Sequence, residues 1–338
     1  MRALFVLALL VGVFAAPTRA VGGRFSAVLA LEAWPDDNVP IHGIGLLAYD
    51  FDPWLAGGRP SAVLNTDTLR LGLDDIQLGD RWRVGLALAG EYAVAGLLTD
   101  YHVDGASVPE RGFKASYVEA EARLKRLFSG GAWGELTLRG RRWFFARAAD
   151  TAPDLALPPE SYAFMPRLDL GWWRLADDAG WRTRHRFFPR LHGFAVGVQA
   201  GVDVRSASGP WGAADGSALR NDPETVTPLV RQWLLAGLPL ASRLRLELDE
   251  RAGYGLHEDD LTRARIGGLN PYVVPVPGAP WAAWLADRFV GGRLALAVRA
   301  VADVEVAPTV AAVYLRDVHR AGDDAAGVVW GAGATADA

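Results

Sequence analysis

The chain has 338 residues, a net charge of −4 with both signs interspersed, no cysteine, and a 51% hydrophobic composition that includes 13 Trp, 13 Phe and 8 Tyr. This composition excludes a disulfide framework, thiolate chemistry and a cysteine-linked lipid, and it offers no basic surface suited to nucleic acid. After the first residues no apolar run approaches the roughly 20 residues of a membrane helix. The apolar content therefore calls for a secreted β-sandwich, or for a barrel that shows apolar side chains to lipid one residue in two.

In chain order, Arg2, an apolar run over 3–16, Pro17 and then Thr18, Arg19 and Ala20 have the layout of a secretory signal peptide with a small residue at the cut. Residues 21–338 then read as one β domain. Period-2 alternation marks strands at 24–34 and 41–50, separated by the turn formers Pro35, Asp36, Asp37 and Asn38. A hairpin follows. Leu69, Leu71 and Leu73 lie on one arm, and Trp82, Val84, Leu86, Leu88 and Tyr92 on the other.

The clearest hairpin sets Val118, Ala120, Ala122 and Leu124 against Glu119, Glu121, Arg123 and Lys125. It turns at Ser129, Gly130 and Gly131, and returns with Glu135, Thr137, Arg139 and Arg141 on its charged face. Acids of one strand should then meet arginines of the next. Trp133, Trp143, Phe144 and Phe145 near the strand ends resemble an interfacial aromatic girdle.

Further strands cover Leu168, Leu170 and Trp172, then Phe194 to Val204 on even positions. A polar segment over 206–224 reads as a long loop. Residues 229–238 form a strand, and in the next one Leu244, Leu246 and Leu248 oppose Arg243, Arg245, Glu247, Asp249 and Arg251. A helix would scatter these arginines around its axis, whereas a strand gathers them on one face. From Val290 the even positions stay apolar through Val304, which reads as one long strand with Arg293, Arg299, Asp303 and Glu305 on its other face.

The pattern amounts to roughly a dozen strands, close to the 9 to 11 residues that a tilted strand takes to cross a bilayer, with short turns alternating with long loops. The chain ends on alternating Val328, Trp330, Ala332, Ala334 and Ala336 without a terminal aromatic residue. The expected fold is all-β, an antiparallel transmembrane β-barrel incomplete at its C-terminus.

Candidate chemistry is sparse. His257, Glu258, Asp259 and Asp260 are the densest set of possible metal ligands, but consecutive residues rarely converge on one ion, and a solvated loop is the expectation. Asp50 and Asp52 are read the same way. His42, His102, His185, His192, His257 and His319 are scattered; Ser116, Ser161 and Ser242 lie in no nucleophile elbow, and neither G-x-S-x-G nor H-E-x-x-H occurs. Neither an enzyme nor a metal or other cofactor is expected. The charged residues Glu119, Glu121, Arg139, Arg141, Arg243, Arg245, Glu247 and Asp249 are assigned to the lumen wall, where balanced signs favour bracing over ion selection.

Gly267 and Gly268, then Asn270, Pro271 and Tyr272 and the proline-rich run through Trp281, resemble the glycine-rich loop of the bacterial surface-antigen superfamily of outer-membrane barrels, which includes assembly factors and two-partner secretion translocators. In that superfamily a Gly-Gly pair precedes Arg-Gly-Tyr or Arg-Gly-Phe, and the loop folds into the lumen so that its arginine meets an acid on the wall. Here the triplet is Asn270, Pro271, Tyr272, without the arginine, and the periplasmic domains of that superfamily are not expected before Arg24. The alternative for the glycines is a turn with positive φ.

The resemblance implies an outer-membrane, non-enzymatic transport or translocation barrel with a loop over 267–284 folding toward the lumen. Its expected partners are outer-membrane lipid and the barrel-assembly machinery during insertion; the transported substrate is open. The alternatives are a barrel hydrolase and a structural barrel that binds through its long loops.

Overall fold

The structure is a computed structural model and describes residues 23–33, 41–51, 58–65, 68–91, 102–103, 106–175, 193–213, 225–267, 276–277, 284–301, 304–317 and 326–337. Its strands are β1 (Gly23–Ala33), β2 (Ile41–Phe51), β3 (Arg59–Asn65), β4 (Thr68–Gln77), β5 (Trp82–Glu91), β6 (His102–Val103), β7 (Ala106–Ser107), β8 (Phe113–Leu127), β9 (Ala132–Arg147), β10 (Tyr162–Leu175), β11 (Gly193–Arg205), β12 (Val226–Ala241), β13 (Leu244–Gly255), β14 (Ala264–Ile266), β15 (Trp284–Val301), β16 (Val304–Asp317) and β17 (Ala326–Asp337). Apart from the small β6–β7 pair they form one antiparallel sheet in sequence order from β1 to β17, with β14 on the flank of β15. Such nearest-neighbour order follows from short connections between long strands. Among the described residues β1 pairs only with β2, and β17 only with β16, so the sheet is open between its first and last strands.

Side-chain parity divides the sheet into two faces. Leu71, Leu86, Leu88, Leu136, Leu138, Leu168, Leu170, Val230, Leu294 and Val310 are exposed on one face. The other face carries the charges and the buried residues, among them Glu119, Thr137, Asp203, Arg245, Asp249 and Arg293. An apolar face outward and a polar face buried inverts the pattern of a soluble sheet and matches a barrel wall solvated by lipid. No helix among the described residues is long and apolar enough to cross a membrane.

Register explains what periodicity alone misses. β3 begins with Arg59 and Pro60 and is shorter than its neighbours, so the run over 59–65 gives little alternation to read. The single long strand expected from Val290 is two, β15 and β16, joined across 302–303. A register shift between Arg299 and Val301 pairs Val298 with Val306, so that even residues of both strands away from the reversal share one face. Period 2 thus runs on unbroken while the chain turns round.

The connections at one end of the sheet include the tight turns 78–81, 128–131 and 242–243 and the two-residue connection 302–303, and those at the other end include 92–112, 148–161, 206–225 and 256–283. The segment 176–192 is the long exception at the tight-turn end. Exposed Trp82, Phe128 and Trp172 edge the apolar face at the tight-turn end. Phe144, Tyr162, Tyr254 and Tyr314 edge it at the long-loop end. Two belts of this kind are what interfacial anchoring requires. Trp133 and Trp143 do not belong to them. Both are buried on the polar face, because their odd positions put them in register with the charges, and only Phe144 of the trio 143–145 points outward.

Candidate functional site: the polar face and its cap

The polar face carries networks of paired charges along its middle. In the β8–β9 ladder Glu119 lies directly opposite Arg141, and Glu121 opposite Arg139. Arg141 donates from Nε and Nη2 to Glu119 at 2.8 and 2.5 Å, and Arg139 donates to Glu121 at 3.1 and 2.7 Å while its Nε stands 3.2 Å from Glu119. On the other side Arg123 pairs with Asp74 of β4 and lies 3.1 Å from Glu121, and Arg70 reaches Glu121 at 3.5 Å. Two acids held by four guanidinium groups make a fixed arrangement, because Glu119 is met by two arginines of β9 and Glu121 by arginines of β4, β8 and β9.

A second patch of the same kind covers β13 and β15. Arg245 donates to Glu247 at 2.6 and 2.9 Å and Arg251 donates to Asp249 at 2.9 and 3.0 Å. Arg293 comes within 3.9 Å of Glu247. Arg243 lies apart from this row, exposed in the turn after β12, where its carbonyl accepts the Arg299 N–H at 2.9 Å. Between the two patches, Arg167 of β10 pairs with Asp203 of β11, and Gln199 donates to Asp169 at 2.9 Å.

Aromatic layers bound these networks at both ends. Toward the tight turns Trp133 stacks on Trp233 at 6.2 Å and packs against Trp173, with the Lys125 ammonium 4.1 Å from the Trp133 ring centre. Their indoles lie flat across glycines: a Cβ on Gly171 would fall 2.5 Å from Trp133, and one on Gly197 would fall 2.4 Å from Trp233. Toward the long loops Arg141 sits 3.9 Å from the Tyr117 ring centre and 4.7 Å from that of Trp143.

Above that layer an apolar cluster joins Phe113, Ala115, Trp143, Leu155, Ala163, Met165 and Trp211, with Leu261 against it. The first part of the polar segment over 206–224 is thus no free loop. Trp211 is buried edge-on to Phe113 at 5.5 Å, and Gly212 bridges to Ala156 of the 148–161 connection.

The expectation of a solvated loop for His257–Asp260 is corrected by burial. Glu258, Asp259 and Asp260 are all buried, and Asp259 is 1% exposed. Arg205 of β11 clamps Asp259 with two hydrogen bonds at 2.5 and 2.7 Å. The same carboxylate accepts the Leu261 N–H and the Thr262 hydroxyl, closing the turn, and Asp260 pairs with Arg263. The acids answer arginines far away in sequence, a match that local spacing does not reveal.

Glu258 is the uncomfortable member. Burial pushes its carboxyl up to about 7, Arg231 pulls it down, and Asp203 pushes it up again. Among the described residues no three potential ligands converge on a metal position.

Of the glycine-rich loop, Gly267 is buried with φ at 119°, a conformation that requires glycine. Gly268, Asn270, Pro271 and Tyr272 lie outside the described residues. Farther along, Val276 is fully buried in a cluster with Ile266, Ala286, Val313 and Leu315. Pro277 presses on β17 from the polar side, where a Cβ on Gly331 would fall 1.9 Å from the Pro277 carbonyl oxygen. Ser116 falls in β8, Ser161 just before β10 and Ser242 in the β12–β13 turn. His257 occupies a positive-φ turn position after β13, and the residues at 185, 192 and 319 are outside the described ones.

A sheet with an apolar outer face, two aromatic belts and a braced polar interior defines the class: an antiparallel transmembrane β-barrel wall. No protein-family model matches the sequence, and no curated protein does. Among solved structures the fold is similar to BamA from Haemophilus ducreyi lacking POTRA domains 1–3, with a TM-score of 0.52 and 12% identity over 88% of this chain and 58% of that one. It also aligns with CdiB from Acinetobacter baumannii, with a TM-score of 0.47 and 10% identity over 93% of this chain and 59% of that one. The likeness to BamA is one of fold, and the chain spans under two thirds of either protein's length.

Proposed function

We propose that the chain forms the wall of a non-enzymatic transport or translocation barrel of an outer membrane, with the polar face lining its lumen and the segment over 267–284 folded back onto that face as a plug. The observation that carries the proposal is the burial of Val276 and Pro277 on the polar side of β15–β17, with Pro277 seated against Gly331 and Gly333 in the middle of β17. A connection seated inside a wall fills space that a solute would otherwise use. The charge networks, with opposite signs paired across neighbouring strands, act as bracing, and Glu119, Glu121, Arg139, Arg141, Arg245, Glu247 and Asp249 hold the wall in shape around the plug. Outer-membrane lipid would cover the apolar face, and the barrel-assembly machinery would insert it. Gly268, Asn270, Pro271 and Tyr272 would carry the chain from the buried turn at Gly267 to the plug.

Planar-bilayer recording tests the proposal. The intact protein should conduct weakly, and deletion of 268–283 should give a large, steady conductance. Absence of current from both forms would reject a transport barrel.

A further inference from the structure

The outer face of β15 and β16 carries a feature that neither bracing nor plugging uses. At the long-loop edge of the apolar face Arg288 and Arg316 are direct register partners on adjacent strands, and their side chains are 50% and 49% exposed. Like charges placed opposite each other on one face repel. Asp287, the acid beside them, stands 4.0 and 3.9 Å away, outside hydrogen-bond range. On the other side Arg288 lies 4.8 Å from the ring centre of Tyr254, its register partner on β13 and a member of the interfacial belt. Two guanidinium forks at the depth of lipid headgroups form a place for a phosphate, which each can meet with two parallel hydrogen bonds.

A second observation lies on the same two strands. The β15–β16 ladder lapses between Ala295–Thr309 and Val298–Val306, where Pro308 occupies an interior strand position and offers no N–H. At the lapse lies an apolar groove walled by Leu246, Leu294, Leu296, Pro308, Val310 and Ala332 of the outer face, with the buried Ala295 and Thr309 at its floor. Leu294 lies six residues along β15 from Arg288, about 20 Å at the strand rise. With strands tilted near 45°, that places the groove about 14 Å below the arginines, close to the middle of a hydrocarbon core about 30 Å thick.

We infer that β15 and β16 hold one phosphate-bearing acylated lipid from the surrounding bilayer, with its phosphate on Arg288 and Arg316 and an acyl chain in the Pro308 groove. The inference rests on the reading of the apolar face as lipid-facing. The site would fix one lipid on the outside of the strands that carry the plug on their inside.

The test is native mass spectrometry of the protein purified from its membrane, delipidated in detergent, and titrated separately with phosphatidylglycerol, with diacylglycerol of the same chains, and with inorganic phosphate. Phosphatidylglycerol should remain bound at one copy after collisional activation, and the other two should be lost. R288A/R316A should weaken retention about tenfold, with R288K/R316K between it and the native protein, because lysine lacks the planar fork. Val310→Trp, which fills the groove and leaves the charges alone, should weaken binding of long-chain but not of short-chain phosphatidylglycerol.

Equal retention of phosphatidylglycerol by R288A/R316A overturns the inference, as does equal retention of diacylglycerol by the native protein or a lipid-free dimer seated on this face. Each variant must keep detergent-dependent extraction and heat-modifiable gel mobility. A native protein released from its membrane by salt alone would remove the barrel reading itself, a separate outcome.

Discussion

Residue-scale behaviour is governed by charges that have left water. Asp259 and Arg205 are both almost fully buried, so removing one partner leaves the other without compensation. Asp259→Ala should destabilise the protein by about 3 to 5 kcal/mol and expose the segment 256–263 to protease. Unchanged resistance in a limited-proteolysis time course would show that the clamp does not hold that segment.

Glu258 gives a pH dependence of definite sign. Its folded carboxyl titrates near 7 against 4.5 as the ordinary value, so the folded state binds the proton more tightly than the unfolded one. Stability is therefore highest below about pH 4.5 for this group, falls as pH rises through the window to about 7, and stays at its lower value above that. Glu258→Gln should flatten that fall, worth of order 3 kcal/mol, in unfolding midpoints followed from pH 5 to 8. A slope identical to that of the native protein would assign the pH dependence to other groups.

Elements, not single residues, decide how Val276 and Pro277 are seated. Gly331 and Gly333 on β17 leave the hollow into which Pro277 settles, and β15 and β16 supply the floor for Val276. Gly331→Val would drive a methyl group against the Pro277 carbonyl and lift the segment while leaving the β16–β17 ladder intact. Its single-channel conductance should rise toward that of the 268–283 deletion. A conductance equal to the native value would mean that the segment does not obstruct the lumen.

The strand pair β8–β9 has the complementary role. Charge reversal of Glu121 alone should destabilise the wall strongly, whereas the exchange Glu121→Arg with Arg139→Glu should recover part of the loss, since the two lie directly opposite each other. Thermal unfolding of both variants in detergent reads that recovery; its absence would show that Arg123 and Arg70, and not the pair itself, hold Glu121.

For the whole molecule, the inverted distribution of polarity is the property to test. Leu86, Ala122 and Leu138 form one register row across β5, β8 and β9, with Leu86 and Leu138 exposed on the apolar face. Leu86→Arg should cost about 2 to 4 kcal/mol if that row lies near the bilayer centre and much less in detergent micelles. Equal stability in vesicles for the native and substituted proteins would place this face away from lipid.

At each of these scales the share legible in the sequence differs. Opposed charges such as Glu119 with Arg141 follow from period 2 and the Ser129–Gly131 turn alone, because a hairpin pairs residues by counting outward from its turn. The strands, their two faces and the turn at Gly267 are local consequences of alternation, β-propensity and φ, and these the linear order of residues determines by itself. The reversal between β15 and β16 is hidden, since a register shift pairs even with even residues, as in Val298 with Val306.

Trp133 and Trp143 are the converse case, because their odd positions already put them on the charged parity of β9, whereas proximity to a strand end does not say which face a residue takes. The capping of the long-loop end, the clamp of Asp259 by Arg205, the seating of Pro277 on Gly331 and the alignment of Arg288 with Arg316 join segments far apart in the chain. Only the curvature and register of the assembled sheet bring those segments together, so the tertiary structure alone decides them.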